Sequence, residues 1–207
     1  MVADRHNTGA GRQLRLALFF GAVAMLAFVP ARGGNAADSP PLEEQVAVCD
    51  GCHGENGVST MPEVPSLAGL PILYTQIQLF LFREDQRVNP VMSPIAQNLT
   101  DDALTALSEW YAKRPPPAAT AVPDPALNAQ GRALAATHRC GVCHLPDYSG
   151  RDQIPRIAAQ QEIYLLQALR DYKNGVRAGD GAQMAEVVYA LSDDDLSALA
   201  HHIAHVR

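Results

Sequence analysis

Cys49-Asp50-Gly51-Cys52-His53 recurs 91 residues later as Cys140-Gly141-Val142-Cys143-His144, and these two stretches hold all four cysteines of the 207-residue chain. The flanking sequence falls into the same register. Pro65-Ser66-Leu67-Ala68 matches Pro155-Arg156-Ile157-Ala158 at an offset of 90, which also pairs Leu73-Tyr74 with Ile163-Tyr164, Leu79 with Leu169, Phe82 with Tyr172 and Arg87 with Arg177. Met92 pairs with Met184, and Leu99-Thr100-Asp101-Asp102 with Leu191-Ser192-Asp193-Asp194, both at 92. Ordered matches with so little drift mark a tandem duplication with small loop insertions.

The copies are divided by residues 115–125, PPPAATAVPDP, in which five prolines in eleven positions forbid a continuing helix and favour an extended spacer. The organisation expected is a first domain over residues 38–114, a linker over 115–125 and a second domain over 126–207. No stretch has convincing period-2 alternation, and the elements read as helices. A helix leads into each cysteine motif, over residues 42–49 and 126–140. A middle helix spans 72–83 and, in the second copy, 162–173. A terminal helix opens at Thr100 and at Ser192, each an N-cap followed by acids suited to the positive helix end. Its apolar positions Leu104, Leu107 and Tyr111 repeat as Leu196, Leu199 and Ile203, the spacing of one buried face. Two all-α lobes of this size bury too little apolar surface to be generously stable unaided, so an internal staple is expected.

Ahead of the first copy, Arg5, Arg12 and Arg15 precede an uncharged apolar run, residues 16–29 (LALFFGAVAMLAFV), then Pro30 and the small-residue stretch GGNAADSP. That order reads as a signal peptide over residues 1–37. A run of 14 residues falls short of the ~20 needed to span hydrocarbon, which favours cleavage over a retained anchor. Without residues 1–37 the chain keeps 12 basic and 21 acidic residues, a net charge of −9. Such a balance repels nucleic acid and anionic lipid and steers toward a basic partner surface. Surplus acid also serves simply to keep an exported protein in solution.

Cysteine pairs at this spacing suit disulfides, thiol–disulfide exchange or half of a zinc site. The histidine directly after the second cysteine, in both copies, points instead to c-type haem attachment. Cys49 and Cys52, and again Cys140 and Cys143, would form thioethers with the two vinyl groups of a haem. The tether then brings His53 or His144 under the iron.

The order of Cys-x-x-Cys-His, Pro-x-Leu-Ala (Pro-x-Ile-Ala in the second copy), tyrosine, an aromatic–Arg helix end and a methionine before a capped terminal helix resembles class I cytochromes c. The tandem form is similar to the dihaem cytochrome c4 family over essentially the whole mature chain. The resemblance implies two tandem all-α domains, each a few helices wrapped around a covalently bound haem. It also implies a methionine opposite each histidine, supplied by the loop before the terminal helix. Met92 lies 39 residues after His53 and Met184 lies 40 after His144; the second copy has no other methionine, and Met61 is only eight residues past His53. Core filling is the plainer role for both, and His138, His201, His202 and His205 are alternative ligands in the second copy. By the same resemblance, the carbonyls of Pro65 and Pro155 accept the second ring N–H of His53 and His144. Tyr74, Tyr164, Trp110, Phe82 and Tyr172 are candidates for packing against haem or contacting its propionates. The turn glycine usual in the family is Gly175 in the second copy and is missing in the first, where a different loop is expected. The second copy inserts two residues around Gly179-Asp180-Gly181.

The function expected is a periplasmic electron carrier, not an enzyme, with two covalent haem c groups. His53, Met92, His144 and Met184 are the expected iron ligands. Partners would be a donor dehydrogenase or quinol-oxidising complex and an acceptor oxidase or reductase, with peripheral association to membrane complexes. Two alternatives stand: a cytochrome subunit of an exported dehydrogenase, and a small dihaem enzyme with an open iron.

Overall fold

The computed structural model describes residues 40–119, 121–177 and 181–207. The expected leader and the inserted Gly179-Asp180 lie outside the described residues. Within them the regular structure is helical, apart from an isolated bridge between Arg151 and Ile154. The N-terminal lobe runs α1 (Leu42–His53), a 3-10 turn (Glu55–Gly57), α2 (Ile72–Arg83), α3 (Met92–Ala96) and α4 (Asp101–Ala112). The C-terminal lobe runs α5 (Pro125–Thr137), α6 (Cys140–His144), α7 (Glu162–Lys173), α8 (Ala182–Val188) and α9 (Asp193–Ala204).

The terminal helices form as their sequences dictate. The Thr100 hydroxyl accepts the Ala103 N–H, and Ser192 and Asp195 make a reciprocal capping box. Both helices carry aspartates in the first turn, against the positive end of the dipole. Leu104, Leu107, Tyr111, Leu196, Leu199 and Ile203 are all buried. α4 packs on α1 and α2, and α9 on α5 and α7, so each terminal helix closes its own lobe.

The helices leading into the motifs differ from expectation. α1 continues through the whole motif to His53. In the second copy the helix stops at Thr137, Arg139 turns left-handed (φ 56°), and the motif forms its own short helix α6. Thr137 Oγ1 donates back to the Ala133 carbonyl at 2.9 Å, competing with the helix amide there and weakening the last turn. α5 also begins at Pro125, capped by Asp124, at the last position of the expected linker.

The missing turn glycine changes nothing locally. Asp85 occupies the left-handed region itself (φ 51°), as Gly175 does (φ 71°). The amides of Gln86 and Arg87 bond to Leu81 O, as those of Val176 and Arg177 bond to Asp171 O. Aspartate tolerates this conformation better than most residues, which is why the loop keeps its geometry.

The lobes meet through a near-symmetric seam. The Tyr74 amide donates to Asp152 O and the Tyr164 amide to Pro62 O, both at 3.1 Å, bonds that exchange under the 90-residue offset. Side-chain contacts break the symmetry; among them the Gln160 side chain pairs with both backbone groups of Ser66.

The closest helix crossing is α5 on α9. A Cβ on Gly131 would lie 2.0 Å from the Ala198 carbonyl oxygen. In an open helix glycine-to-alanine stabilises by roughly 1 kcal/mol. Here overpacking reverses the sign, and Gly131→Ala should destabilise the C-terminal lobe by about 1–3 kcal/mol, read as a lower midpoint in denaturant unfolding; a stabilised variant would contradict the crossing.

Candidate functional site

Each motif ends on a buried histidine. His53 and His144 are both 7% exposed. His53 Nδ1 lies 2.7 Å from the Pro65 carbonyl oxygen, and His144 Nδ1 lies 2.9 Å from that of Pro155. A carbonyl oxygen only accepts, so Nδ1 carries the proton in both rings and Nε2 keeps its lone pair. Burial pulls both imidazoles below the ordinary histidine range, although the carbonyl bonds work the other way. The result is two neutral rings, oriented from behind, each with one donor nitrogen available to a metal.

In each motif the first cysteine lies one helical turn before the ring and the second directly precedes it. All four thiols are free; Cys49 and Cys140 are half-buried, Cys52 and Cys143 exposed. Burial raises the Cys49 and Cys140 thiols, the opposite of what an exchange-active thiolate needs. Nor do the motifs assemble a zinc donor set. Among the described residues, the clustered candidate ligands are Glu162, His201 and His205. That cluster is engaged already: His201 Nε2 accepts the Asp124 N–H at 3.0 Å, and its Nδ1 faces Glu162 at 3.1 Å. His205 Nδ1 donates to the His201 carbonyl, and His202 Nδ1 to Asn128 Oδ1. His138 is the C-cap of α5.

Met92 and Met184 occupy short helices, α3 and α8, where a loop was expected. Asn89 Oδ1 accepts the amides of Val91 and Met92 and so nucleates α3. Met184 packs, half-buried, against the C-terminal core, as do Cys140, Tyr148 and Ile157. Met61 is 45% exposed.

Between the lobes lies a polar cluster that the sequence marks through the Arg87–Arg177, Tyr74–Tyr164 and Phe82–Tyr172 repeats. Gln78 Oε1 accepts from Arg87 and from Arg177 at 2.5 and 3.1 Å. Each guanidinium stacks 4.4 Å over its own lobe's aromatic ring, Arg87 on Phe82 and Arg177 on Tyr172. Tyr164 is hydrogen-bonded to Arg87 and Tyr74, and Tyr74 to Arg177. Burial works against charge on Arg177, yet the hydroxyls of Tyr164 and Tyr74 hold it firmly protonated. Among the described residues neither arginine forms an ion pair. Among the described residues four buried side-chain N–H groups have no acceptor: Trp110 Nε1 and the Nε of Arg156, Arg170 and Arg177.

These features fit a haem. Its macrocycle suits the half-buried apolar side chains that, like Cys49 and Cys140, pack on the lobe cores, among them Leu79, Leu99, Ile157 and Met184. Its carboxylates suit the unpaired guanidinium groups and the orphaned N–H groups. Two participants escaped the sequence reading. Gln78 and Gln160 have the apolar counterparts Ala168 and Leu70 at the 90-residue offset, so alignment of the copies gave no signal for either.

Comparison with known proteins agrees. A family model described as Cytochrome c matches residues 128–207. Cytochrome c4 of Pseudomonas aeruginosa is 30% identical over 179 residues, covering 81% of this chain and 88% of its own length. The thiosulfate dehydrogenase electron acceptor of Thiomonas intermedia is 33% identical over 179 residues, covering 81% of each chain. The crystal structure of reduced recombinant cytochrome c4 from Pseudomonas stutzeri superposes with a TM-score of 0.73 at 28% identity, covering 82% of this chain and 100% of that one. Two tandem helical lobes, two Cys-x-x-Cys-His motifs and relatives matched over most of their length lead to one conclusion: the chain belongs to the cytochrome c4 family of class I cytochromes c, electron-transfer proteins with covalently bound haem c.

Proposed function

We propose that this chain is an exported, periplasmic carrier that takes one electron at each of two haem sites and passes them to a downstream oxidase or reductase. The observation that carries the reading is the repeated buried histidine, kept neutral by burial and oriented by a proline carbonyl, directly after a cysteine pair, with the two copies joined by direct hydrogen bonds. Cys49 and Cys52 tether one haem and Cys140 and Cys143 the other. His53 and His144 ligate the irons, with Met92 and Met184 opposite. When bound, each haem supplies a one-electron iron(III)/iron(II) couple, and histidine–methionine ligation raises its potential. The lobes correspond to residues 38–114 and 126–207, with 1–37 removed on export. Among the described residues no helix is long and apolar enough to cross a membrane.

A second reading is favoured by the Thiomonas intermedia relative, named as an electron acceptor of thiosulfate dehydrogenase. In it the chain is the cytochrome subunit of an exported dehydrogenase. Purification from the native periplasm separates the two. A stable stoichiometric complex with a dehydrogenase subunit supports the second, and a free dihaem monomer supports the first.

The ligand assignment is tested at Met184. Met184→Ala should lower the potential of one haem and alter the visible spectrum while leaving two haems per chain; an unchanged potential and spectrum would remove Met184 from the iron. The charge of the chain is tested with a basic redox partner. With a net −9 on residues 38–207, the bimolecular electron-exchange rate should fall by roughly tenfold or more between low and high salt. A flat salt profile in stopped-flow would exclude electrostatic steering.

A further inference from the structure

We propose that Gln160, a residue of the C-terminal lobe, tunes the reduction potential of the N-terminal haem through a single peptide unit. That unit joins Pro65 to Ser66. Its carbonyl accepts the His53 Nδ1–H at 2.7 Å, and its N–H donates to Gln160 Oε1, also at 2.7 Å. The amide of Gln160 cannot be turned over. Its Nε2 donates to the Ser66 carbonyl at 2.9 Å, and exchanging N and O would set donor against donor and acceptor against acceptor. Gln160 is 7% exposed and Ser66 1%, so the bonds run through a dry seam. Gln161 Nε2 closes the same edge on the Ser59 carbonyl at 2.6 Å.

Hydrogen bonds in series through a peptide polarise one another. With the Ser66 N–H donating to Gln160, electron density is pushed through the peptide unit onto the Pro65 oxygen, which becomes the better acceptor. A stronger pull on the Nδ1 proton makes the imidazole more basic at Nε2, which favours ferric over ferrous iron and lowers the potential. The C-terminal site lacks this relay. Pro155 O accepts from His144 at 2.9 Å, but among the described residues the Arg156 N–H of the same peptide unit has no acceptor. The position that would mirror Gln160 is Leu70, which has no polar side-chain atom. One lobe therefore tunes the other without reciprocation.

The inference rests on His53 being an iron ligand. The test uses the dihaem holoprotein, reduced stepwise at an electrode by one electron per haem, with each haem assigned to its lobe by NMR of its methyl groups. Gln160→Met removes both polar atoms at similar volume. It should raise the N-terminal potential and leave the C-terminal one in place. Gln160→Glu retains an oxygen acceptor for the Ser66 N–H and should hold the N-terminal potential at or below its native value. The proposal is overturned if Gln160→Met, with native haem content, leaves the N-terminal potential unmoved or shifts both potentials equally. It is equally overturned if Gln160→Glu raises the N-terminal potential as Gln160→Met does. Should Gln160→Met fail to load haem, the Glu variant decides by the same criterion. Failure of the ligand assignment looks different: a His53→Ala protein with a native N-terminal haem spectrum would remove His53 from the iron whatever Gln160 does.

Discussion

Each lobe is organised by the need to bury an imidazole without charging it. A buried cationic ring would be costly, and a buried neutral ring still carries one N–H that must find an acceptor. The proline carbonyl supplies that acceptor, and the rest of the lobe can be read as the frame that brings it within 2.7 to 2.9 Å. Gly57 O takes the amides of Leu67 and Ala68, and Tyr148 O takes those of Ile157 and Ala158, pinning the loop just past each proline. The terminal helix completes the frame: Tyr111 O accepts the Gly69 amide and Ile203 O that of Ala159. A ring fixed this firmly from behind leaves Nε2 no choice of direction, which is what a metal ligand requires.

The duplication supplies the second lobe, and its departures from symmetry supply the chemistry that differs. The backbone bonds that dock the lobes and pin the proline loops repeat from copy to copy. The side chains at the seam do not. Gln78 gathers two arginines where the other copy has Ala168, and Gln160 grips Ser66 where the other copy has Leu70. The two buried histidines thereby sit in unlike electrostatic surroundings.

Much of this was legible beforehand. The middle helices end where the sequence placed them, the terminal helices are capped at Thr100 and Ser192, and their apolar faces are buried. Local chemistry governs such features. The carbonyls facing His53 and His144 followed from family resemblance rather than from any local rule. What escaped was non-local or depended on a small imbalance. The break before Cys140 falls at a left-handed Arg139, a conformation no glycine or proline announces, and the left-handed Asp85 hides behind the absence of glycine. The inter-lobe glutamines act across about 90 residues of chain, where no local pattern could register them.

The seam between the lobes has a consequence for how such a chain can diverge. Its two symmetric bonds, Tyr74 to Asp152 and Tyr164 to Pro62, use only main-chain atoms. Main-chain donors and acceptors survive most substitutions, so these two bonds do not depend on which side chains surround them, whereas the Gln160–Ser66 and Gln78–Arg177 contacts do. Each gene-duplicated half is free to drift in composition, and even to lose a glycine or gain an amide, while the pair stays assembled. The joint conserves an arrangement and leaves its wiring open to selection.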